Sequence, residues 1–322
     1  MSEMPELRDG PPWAMEEMIL SEPGLVAPIL ALPEADLAAA MLRETDTVVV
    51  TGCGTSEHAA MAGAALLNAR PRDAFEASLD PQSDGVLIAI SHEAGTAATL
   101  AAMKATNART ILITAKPDVE TGADLTLGTP LVDTSWCHTV GYVSPLLALT
   151  AIAGAADEST CTRVIEGTLE LRPRFQAMAA TLHGCERLIV TGSGVDEITA
   201  REFALKVEEG LHVPVTPLGI EKVLHGHLPA ADARTGIVVI RIDPANGPQR
   251  DKRANDVKAA VKELGMPAVT IDALPEGHPL LAGAIALQLL TYELVLAAGT
   301  NPDLIRREQD AYRAAAAAGA VG

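Results

Sequence analysis

Two Gly-x-Gly turns stand where an apolar run leads into a predicted helix, and the first carries hydroxyl side chains. It reads Gly52-Cys53-Gly54-Thr55-Ser56, and a second turn begins at Gly192. Glycines there let the backbone approach a ligand, and the helix start offers N–H donors with a positive dipole end. Thr55 and Ser56 add hydroxyl donors, which predicts an anion site. A strand–helix turn that prefers glycine and a hydroxyl cap explains the same residues without a ligand.

The stretch "ISHEAGTAATL" predicts a second ligand turn, after the next strand. Ser91 and Thr96 supply hydroxyls and His92 supplies a ring N–H, at the strand end where ligands of open α/β sheets bind. Glu93 is out of place, because its carboxylate would repel an anion unless it points away, is protonated or pairs with a cation. The alternative is that Glu93 is an acid in the first turn of a helix, stabilised by the helix dipole.

A helix over "REFALKVEEG" would present Glu202, Lys206 and Glu209 on one face, at spacings of four and three residues. A carboxylate beside a lysine can move a proton, although a solvated ion pair has the same spacing. Further along, His225 and His227 bracket a glycine in "LHGHLP". Histidine is the natural acid or base near neutral pH, although an isolated loop histidine is more often a simple polar residue.

Alternating strands and helices must position these residues. The segments 46–67 and 186–207 repeat one pattern of β-branched run, Thr-Gly-x-Gly turn and amphipathic helix. Strands and helices then alternate after each copy, which indicates βαβ units and a parallel sheet. We predict two halves, 20–155 and 175–300, with the connector inside 155–174 and a C-terminal tail over 301–322. The further predicted strands are 85–91, 109–115, 236–243 and 267–271, and the further predicted helices are 95–107 and 250–264.

Composition narrows the class of protein. The 322 residues are 48% hydrophobic but only 2% aromatic, and 42 acidic against 24 basic residues give a net charge of −18. This charge disfavours nucleic acid and anionic membrane surfaces as partners. Four widely spaced cysteines argue against a disulfide scaffold or a zinc ribbon. Neither a signal peptide nor an apolar stretch of the ~18–20 residues that span a bilayer is evident, so we expect a cytoplasmic protein.

The ordered set of motifs resembles the tandem sugar-isomerase (SIS) domain family. The Gly54-Thr55-Ser56 turn, "ISHEAGTAATL", "REFALKVEEG", "LHGHLP" and "HPLLAGAIALQLLTYELVLAAGTNPD" occur in the family's order. The chain is similar to the isomerase module of glucosamine-6-phosphate synthase and to stand-alone phosphosugar isomerases and deglycases. The resemblance implies an α/β fold of two tandem SIS domains, each a parallel-sheet, three-layer αβα sandwich that resembles a nucleotide-binding fold. It also implies an aldose–ketose isomerase that works through an enediol(ate) without a cofactor.

Residue roles follow from the same resemblance. It makes Glu209 the base that moves a proton between sugar C1 and C2, places Lys206 beside it, and lets His225 assist ring opening from the partner subunit of a homodimer. The anionic group of the sugar, a phosphate or a sulfonate, is expected on the two turns. The candidates there are Gly54, Thr55, Ser56, Ser91, His92, Glu93 and Thr96.

Departures from the family keep other functions open. The family's Ser-Gln-Ser-Gly-Glu-Thr is here Ser91 to Thr96 with Glu93 replacing a serine, and the tail lysine of amino-transferring members aligns with Asp310. A glutamine-dependent amidotransferase is therefore not expected. The alternatives are an amino-sugar deaminase or fructosamine-type deglycase, a non-catalytic sugar-phosphate-binding regulator, and a metal-dependent isomerase. A metal would use His58, His92, Glu93 and His138 with Cys53 and Cys137.

Overall fold

The computed structural model describes residues 5–319 and contains two parallel β-sheets, each within its own unit of the chain. One unit contains Leu20–Ser159 with the described parts of Met1–Arg8 and Asp303–Gly322; the other contains Asp9–Ile19 and Thr160–Pro302. The predicted α/β class with parallel sheets is confirmed. That the units are two tandem SIS domains, bounded at 20–155 and 175–300, stays a prediction.

The first sheet has five strands in the order β2-β1-β3-β4-β5, and the second has four in the order β7-β6-β8-β9. Every pair in both is parallel. The inner strands read as unbroken apolar runs because both of their faces are covered. The strands are β1 (Val48–Gly52), β2 (Arg70–Asp73), β3 (Val86–Ile90), β4 (Arg109–Thr114), β5 (Leu125–Gly128), β6 (Arg187–Gly192), β7 (Val215–Gly219), β8 (Thr235–Ile240) and β9 (Ala268–Ile271).

Helices connect and cover the strands, and in the first unit α4 packs on α7 while α5 packs on α6, as in a three-layer sandwich. The helices are α1 (Ala14–Ser21), α2 (Val26–Leu30), α3 (Pro33–Arg43), α4 (Thr55–Leu67), α5 (Ala74–Leu79), α6 (Ala97–Ala105), α7 (Val140–Ala153), α8 (Glu158–Leu169), α9 (Arg172–Leu182), α10 (Val195–Gly210), α11 (Ile220–Lys222), α12 (Gly247–Glu263), α13 (Pro279–Ala298) and α14 (Asp310–Ala318). A π-helical segment, Val223–His227, and short 3₁₀ segments, Glu22–Leu25 and Leu228–Ala230, complete the described elements.

Two of the predicted segments, the connector and the tail, contain helix. The stretch 155–174 is mostly helical. A buried stripe at helical spacing explains the helix, and it consists of Cys161, Val164, Ile165 and Thr168. The polar composition of the stretch made this stripe hard to recognise in the sequence. The tail begins with buried residues, since Asp303 is 0% exposed. It then forms α14, none of whose residues is buried. The last residues of the predicted tail, 320–322, lie outside the described residues.

Helix α13 is apolar along its whole length. By length and composition alone it could cross a membrane, and 89% of its apolar window is buried within the protein. Buried core helices pass the same test. Its sequence was not predicted as a span because Gln288 and Glu293 interrupt the apolar run.

Candidate functional site

The order of the first sheet brings the two predicted ligand turns side by side. In the order β2-β1-β3-β4-β5, the chain connections reverse direction between β1 and β3, and ligands of open α/β sheets bind outside the strand ends at that point. Thr51 pairs with Ala89, so the turns that follow Gly52 and Ile90 leave the sheet together. The Cys53 Sγ lies 3.8 Å from the Thr99 Oγ1, which links the first turn to α6. The sheet therefore brings both turns to one edge, where ligands of open α/β sheets bind, and a ligand there stays a prediction.

The first turn has the geometry predicted for an anion site. A Cβ on Gly52 would lie 2.5 Å from the backbone oxygen of Ser56, so only glycine allows the chain to turn this tightly. Gly54 has a φ of 58°, and α4 starts at the next residue. Thr55 and Ser56 are half-buried at the positive end of this 13-residue helix. That Thr55 and Ser56 hold an anionic group stays a prediction.

In the second turn, the Ser91 side chain forms its hydrogen bonds within the turn. Ser91 is 1% exposed, and its Oγ donates to the Thr96 Oγ1 at 3.2 Å while accepting the Thr96 N–H at 3.4 Å. Ala94 has a φ of 53°, a left-handed conformation that suits glycine better than alanine. Glu93 is half-buried, and Thr96 is exposed. Thr96 and Glu93 are therefore the polar side chains that this turn offers to solvent.

His92 points into its own unit. It is 7% exposed, and its Nε2 accepts the backbone N–H of Asp133 at 2.9 Å. Burial, reinforced by the charge of His138, lowers the pKa of His92 to about 4. The imidazole is therefore neutral near pH 7 and carries its proton on Nδ1. Its role in binding an anion stays a prediction, and Nδ1 is the donor that it can offer.

Asp133 is a buried polar residue that the sequence analysis missed. Its carboxylate is 1% exposed and accepts the N–H groups of Ser135 at 3.0 Å, Thr139 at 2.7 Å and Gly141 at 3.1 Å. Burial raises the pKa of Asp133 above its ordinary value, although these hydrogen bonds lower it. Asp133 and His92 together hold the loop between β5 and α7. The sequence Asp133-Thr134-Ser135 could have predicted this role, because an aspartate commonly accepts the backbone N–H of the residue two positions later.

In the second unit, α10 gathers the predicted proton-transfer residues. The Lys206 Nζ lies 2.5 Å from the Glu209 Oε2 and 3.6 Å from the Glu202 Oε1. The side chains of Glu202, Lys206 and Glu209 are 0%, 1% and 24% exposed. The solvated ion pair, the alternative considered for this stretch, is therefore wrong for Glu202 and Lys206. Lysine and glutamate are almost never buried unless paired, and here Glu209 is the member that keeps access to solvent.

His225 lies in the kinked π-helical segment of the second unit. Its backbone has φ −107° and ψ 71°, and Gly226 follows with φ 108°. The side chain is 72% exposed, and its Nε2 lies 2.8 Å from the Glu221 Oε1. Arg253 Nε lies 2.7 Å from the other oxygen of Glu221. His225 is thus an exposed imidazole beside a carboxylate, presented on a bent surface segment.

The second Gly-x-Gly turn is occupied by the protein itself. Asp196, in the first turn of α10, is 1% exposed and accepts the backbone N–H of Ile242 at 3.1 Å and of Asp243 at 3.0 Å. A Cβ on Gly194 would collide with the guanidinium of Arg250 and the carboxylate of Asp243, which form an ion pair there. Burial raises the pKa of Asp196 to about 6. A carboxylate of the chain therefore sits where the first unit leaves hydroxyl side chains.

The metal alternative has no support from the described residues. Between residues 5 and 319, no three or more histidine, cysteine, aspartate or glutamate side chains form a group that could hold a metal ion. His92 and His138 are neighbours, with ring centroids 5.2 Å apart. The Nε2 of His92, however, accepts a backbone N–H and is not available as a ligand.

Comparison with solved structures places the fold in a known class. Over 92% of this chain and 99% of the other, it is similar to the C-terminal domain of glucosamine-fructose-6-phosphate aminotransferase from Francisella tularensis, with a TM-score of 0.77 and 21% identity. Tagatose-6-phosphate ketose/aldose isomerase from Escherichia coli also aligns with a TM-score of 0.77, at 17% identity, over 91% of this chain and 95% of that one. The chain therefore has the fold of these sugar-phosphate proteins.

Sequence comparison points the same way. Glutamine–fructose-6-phosphate aminotransferase (isomerizing) from Pyrococcus horikoshii is 27% identical over 318 residues, which cover 84% of this chain and 52% of that protein. The chain thus spans about half the length of the relative it matches. No family model matches the chain.

Proposed function

We propose that this chain is an aldose–ketose sugar isomerase that works through an enediol(ate) intermediate. The observation that carries the proposal is the Lys206–Glu209 pair on α10, separated by 2.5 Å, with the lysine buried and the glutamate partly accessible. A positioned carboxylate is the group needed to remove a proton next to a sugar carbonyl. The similarity to proteins named for the isomerisation of sugar phosphates supports the same chemistry.

Glu209 is the base in this proposal. It takes the proton from C2 of the open-chain aldose, and the electrons form the enediol(ate). The same proton or one from solvent then returns to C1, while the proton of the C2 hydroxyl passes to the C1 oxygen, which gives the ketose. Lys206 offsets the charge of the carboxylate and, with Glu202 at 3.6 Å, fixes its position.

His225 opens the sugar ring by taking the proton of the anomeric hydroxyl and giving a proton to the ring oxygen. We place this histidine in the site of a partner chain within a homodimer. The supporting observation is its position, since 72% of the side chain is exposed on a bent surface segment. No cofactor is needed, because the reaction moves protons within one substrate.

Replacing Glu209 by glutamine tests the proposal. General base catalysis contributes about 10²- to 10⁴-fold, so Glu209→Gln should lower the rate of isomer formation by this factor. The assay is ketose formation from a panel of hexoses and hexose 6-phosphates, with ammonia release measured in parallel.

The matched control is Glu208→Gln, since Glu208 is the exposed neighbour on the same helix. Its Oε1 accepts the Val215 N–H at 3.1 Å, and a glutamine keeps that acceptor. Equal rates in the parent and in Glu209→Gln would contradict the proposal. Release of ammonia without any aldose–ketose conversion would favour the deaminase alternative.

A further inference from the structure

A series of charged contacts in the second unit ends at the His225 ring. The His225 Nε2 lies 2.8 Å from the Glu221 Oε1. Arg253 contacts both oxygens of Glu221, with its Nε 2.7 Å from Oε2 and its Nη2 3.2 Å from Oε1. Its Nη1 also donates to the Asp256 Oδ2 at 3.4 Å. An arginine that binds a carboxylate through two N–H groups fixes the orientation of that carboxylate better than a single contact does.

Apolar packing anchors the segment 220–227 on α12. Four buried side chains of these two elements belong to one cluster: Ile220, Val223, Ala254 and Val257. Glu221 follows the first of them in the sequence, and Arg253 precedes the third. The packing therefore holds Glu221 beside Arg253, and His225 lies four residues, or about one helical turn, after Glu221.

His227 lacks such a contact, although it is exposed on the same segment. Among residues 5–319, its side chain forms neither an ion pair nor a hydrogen bond. The carboxylate of Glu221 therefore distinguishes the two histidines of the sequence "LHGHLP".

The contact at Nε2 decides which ring nitrogen is left for a substrate. In a neutral imidazole one nitrogen carries the proton and the other accepts, and the partner of one nitrogen sets the state of the other. A carboxylate only accepts, so Glu221 favours the proton on Nε2 and leaves Nδ1 as the acceptor. We propose that Glu221 is a positioning residue, which holds His225 in the Nε2–H tautomer so that Nδ1 exchanges protons with the sugar. This inference rests on the proposed function.

Ring opening then uses Nδ1 for both proton transfers. The anomeric hydroxyl gives its proton to Nδ1, and the bond between C1 and the ring oxygen breaks as the C1 carbonyl forms. Nδ1 then returns the proton to the ring oxygen. Nε2 keeps its own proton throughout, and Glu221 stabilises the imidazolium that forms in between. In the opposite tautomer, Nδ1 has no lone pair for the anomeric proton.

Glu221→Gln should reverse the tautomer without emptying the position. The guanidinium of Arg253 binds the one oxygen of the amide, because it can only donate, so the NH2 group faces His225 and donates to Nε2. In the Ser-His-Asp triad, an amide in place of the carboxylate likewise leaves the geometry intact and favours the wrong tautomer. The matched control is Glu263→Gln, a change at an exposed acid at the end of α12.

Nitrogen-15 NMR of protein labelled at its eight histidines measures the tautomer without any sugar. At about pH 9 a histidine of ordinary pKa is neutral, and the shifts of its ring nitrogens report which one carries the proton. The variants His225→Gln and His227→Gln assign the signals. His225 should carry its proton on Nε2 in the parent and in Glu263→Gln, more completely than His227 does, and on Nδ1 in Glu221→Gln.

Two NMR results would overturn the proposal. One is the same tautomer ratio for His225 and His227 in the parent. The other is a ratio for His225 that Glu221→Gln leaves unchanged, or that Glu263→Gln changes equally.

Turnover separates a positioning role from a surface ion pair. Glu221→Gln should lower kcat for hexose isomerisation at least about tenfold, with KM within about twofold of the parent value, whereas Glu263→Gln should match the parent. An unchanged kcat in Glu221→Gln would overturn the positioning role even if the tautomer changes. The predicted tautomers in a parent that isomerises no sugar would contradict the proposed function and leave the effect of Glu221 on the His225 ring intact.

Discussion

At the scale of single residues, burial decides which of the predicted side chains reach solvent. Ser91 and His92 were predicted beside the ligand because of their place after β3, and that place is correct. Their side chains turn inward because the loop before α7 supplies a backbone N–H for His92, from a residue 41 positions away. A pattern over a few residues predicts where a turn lies, but it does not predict a contact between residues 41 positions apart.

His92 makes stability depend on pH. Its pKa is 6.5 when exposed and about 4 in the folded state, so the unfolded chain binds the proton more tightly and stability is lost as pH falls between these values. The loss from this residue should be about 2 kcal/mol between pH 7 and pH 5. His92→Gln keeps an acceptor for the Asp133 N–H but cannot titrate.

Urea unfolding of the parent and of His92→Gln at both pH values measures the difference. The variant should lose less stability on acidification than the parent. His183→Gln, a change at an exposed histidine, serves as the control. The same acid sensitivity in the parent and His92→Gln would show that His92 is not the titrating group.

At the scale of elements, the repeated strand–turn–helix unit serves two purposes. In the first unit the first turn of α4 carries half-buried hydroxyls, whereas in the first turn of α10 Asp196 accepts the N–H groups that follow β8. The inner strands and the helices α4, α6, α10 and α12 were predictable from apolar runs and periodicity. Of the edge strands, β9 was also predicted, whereas β2, β5 and β7 were not. The sequence of β2, "RPRD", has two exposed and two half-buried residues and contains a proline that only an edge strand tolerates.

Asp196 should give the opposite dependence on pH from His92. Its folded pKa of about 6 lies above the ordinary value of 3.8, so the folded state holds the proton more tightly and stability falls as pH rises through this window. The loss should be about 2 kcal/mol between pH 4 and pH 7. Asp196→Asn removes it, so the stability of the variant relative to the parent should rise over this range.

Unfolding of Asp196→Asn and the parent at pH 4 and pH 7 gives that comparison, with Asp36→Asn as an exposed control from the first turn of α3. A stability difference that stays constant between the two pH values would mean that Asp196 does not titrate as described.

At the scale of the whole molecule, the turns at Gly52 and Ser91 belong to the first unit, and α10 belongs to the second. The chain spans about half the length of the aminotransferase relative. The exposed His225 is the basis for expecting that function needs two copies of this chain.

Mixing two inactive variants tests the shared site. If His225 acts in the partner's site, a mixed dimer of Glu209→Gln and His225→Ala has one site with both changes and one with neither. Random pairing should then restore about a quarter of the parent activity. Activity that stays at the level of the separate variants, although mixed dimers form, would place His225 in its own chain.

Exchange of the substrate's C2 hydrogen with D2O tests the role of Glu209 most directly. Proton NMR during turnover should show deuterium entering the sugar with the parent and with Glu208→Gln, and about 10²- to 10⁴-fold more slowly with Glu209→Gln. Exchange at the parent rate in Glu209→Gln would contradict the assignment of the base.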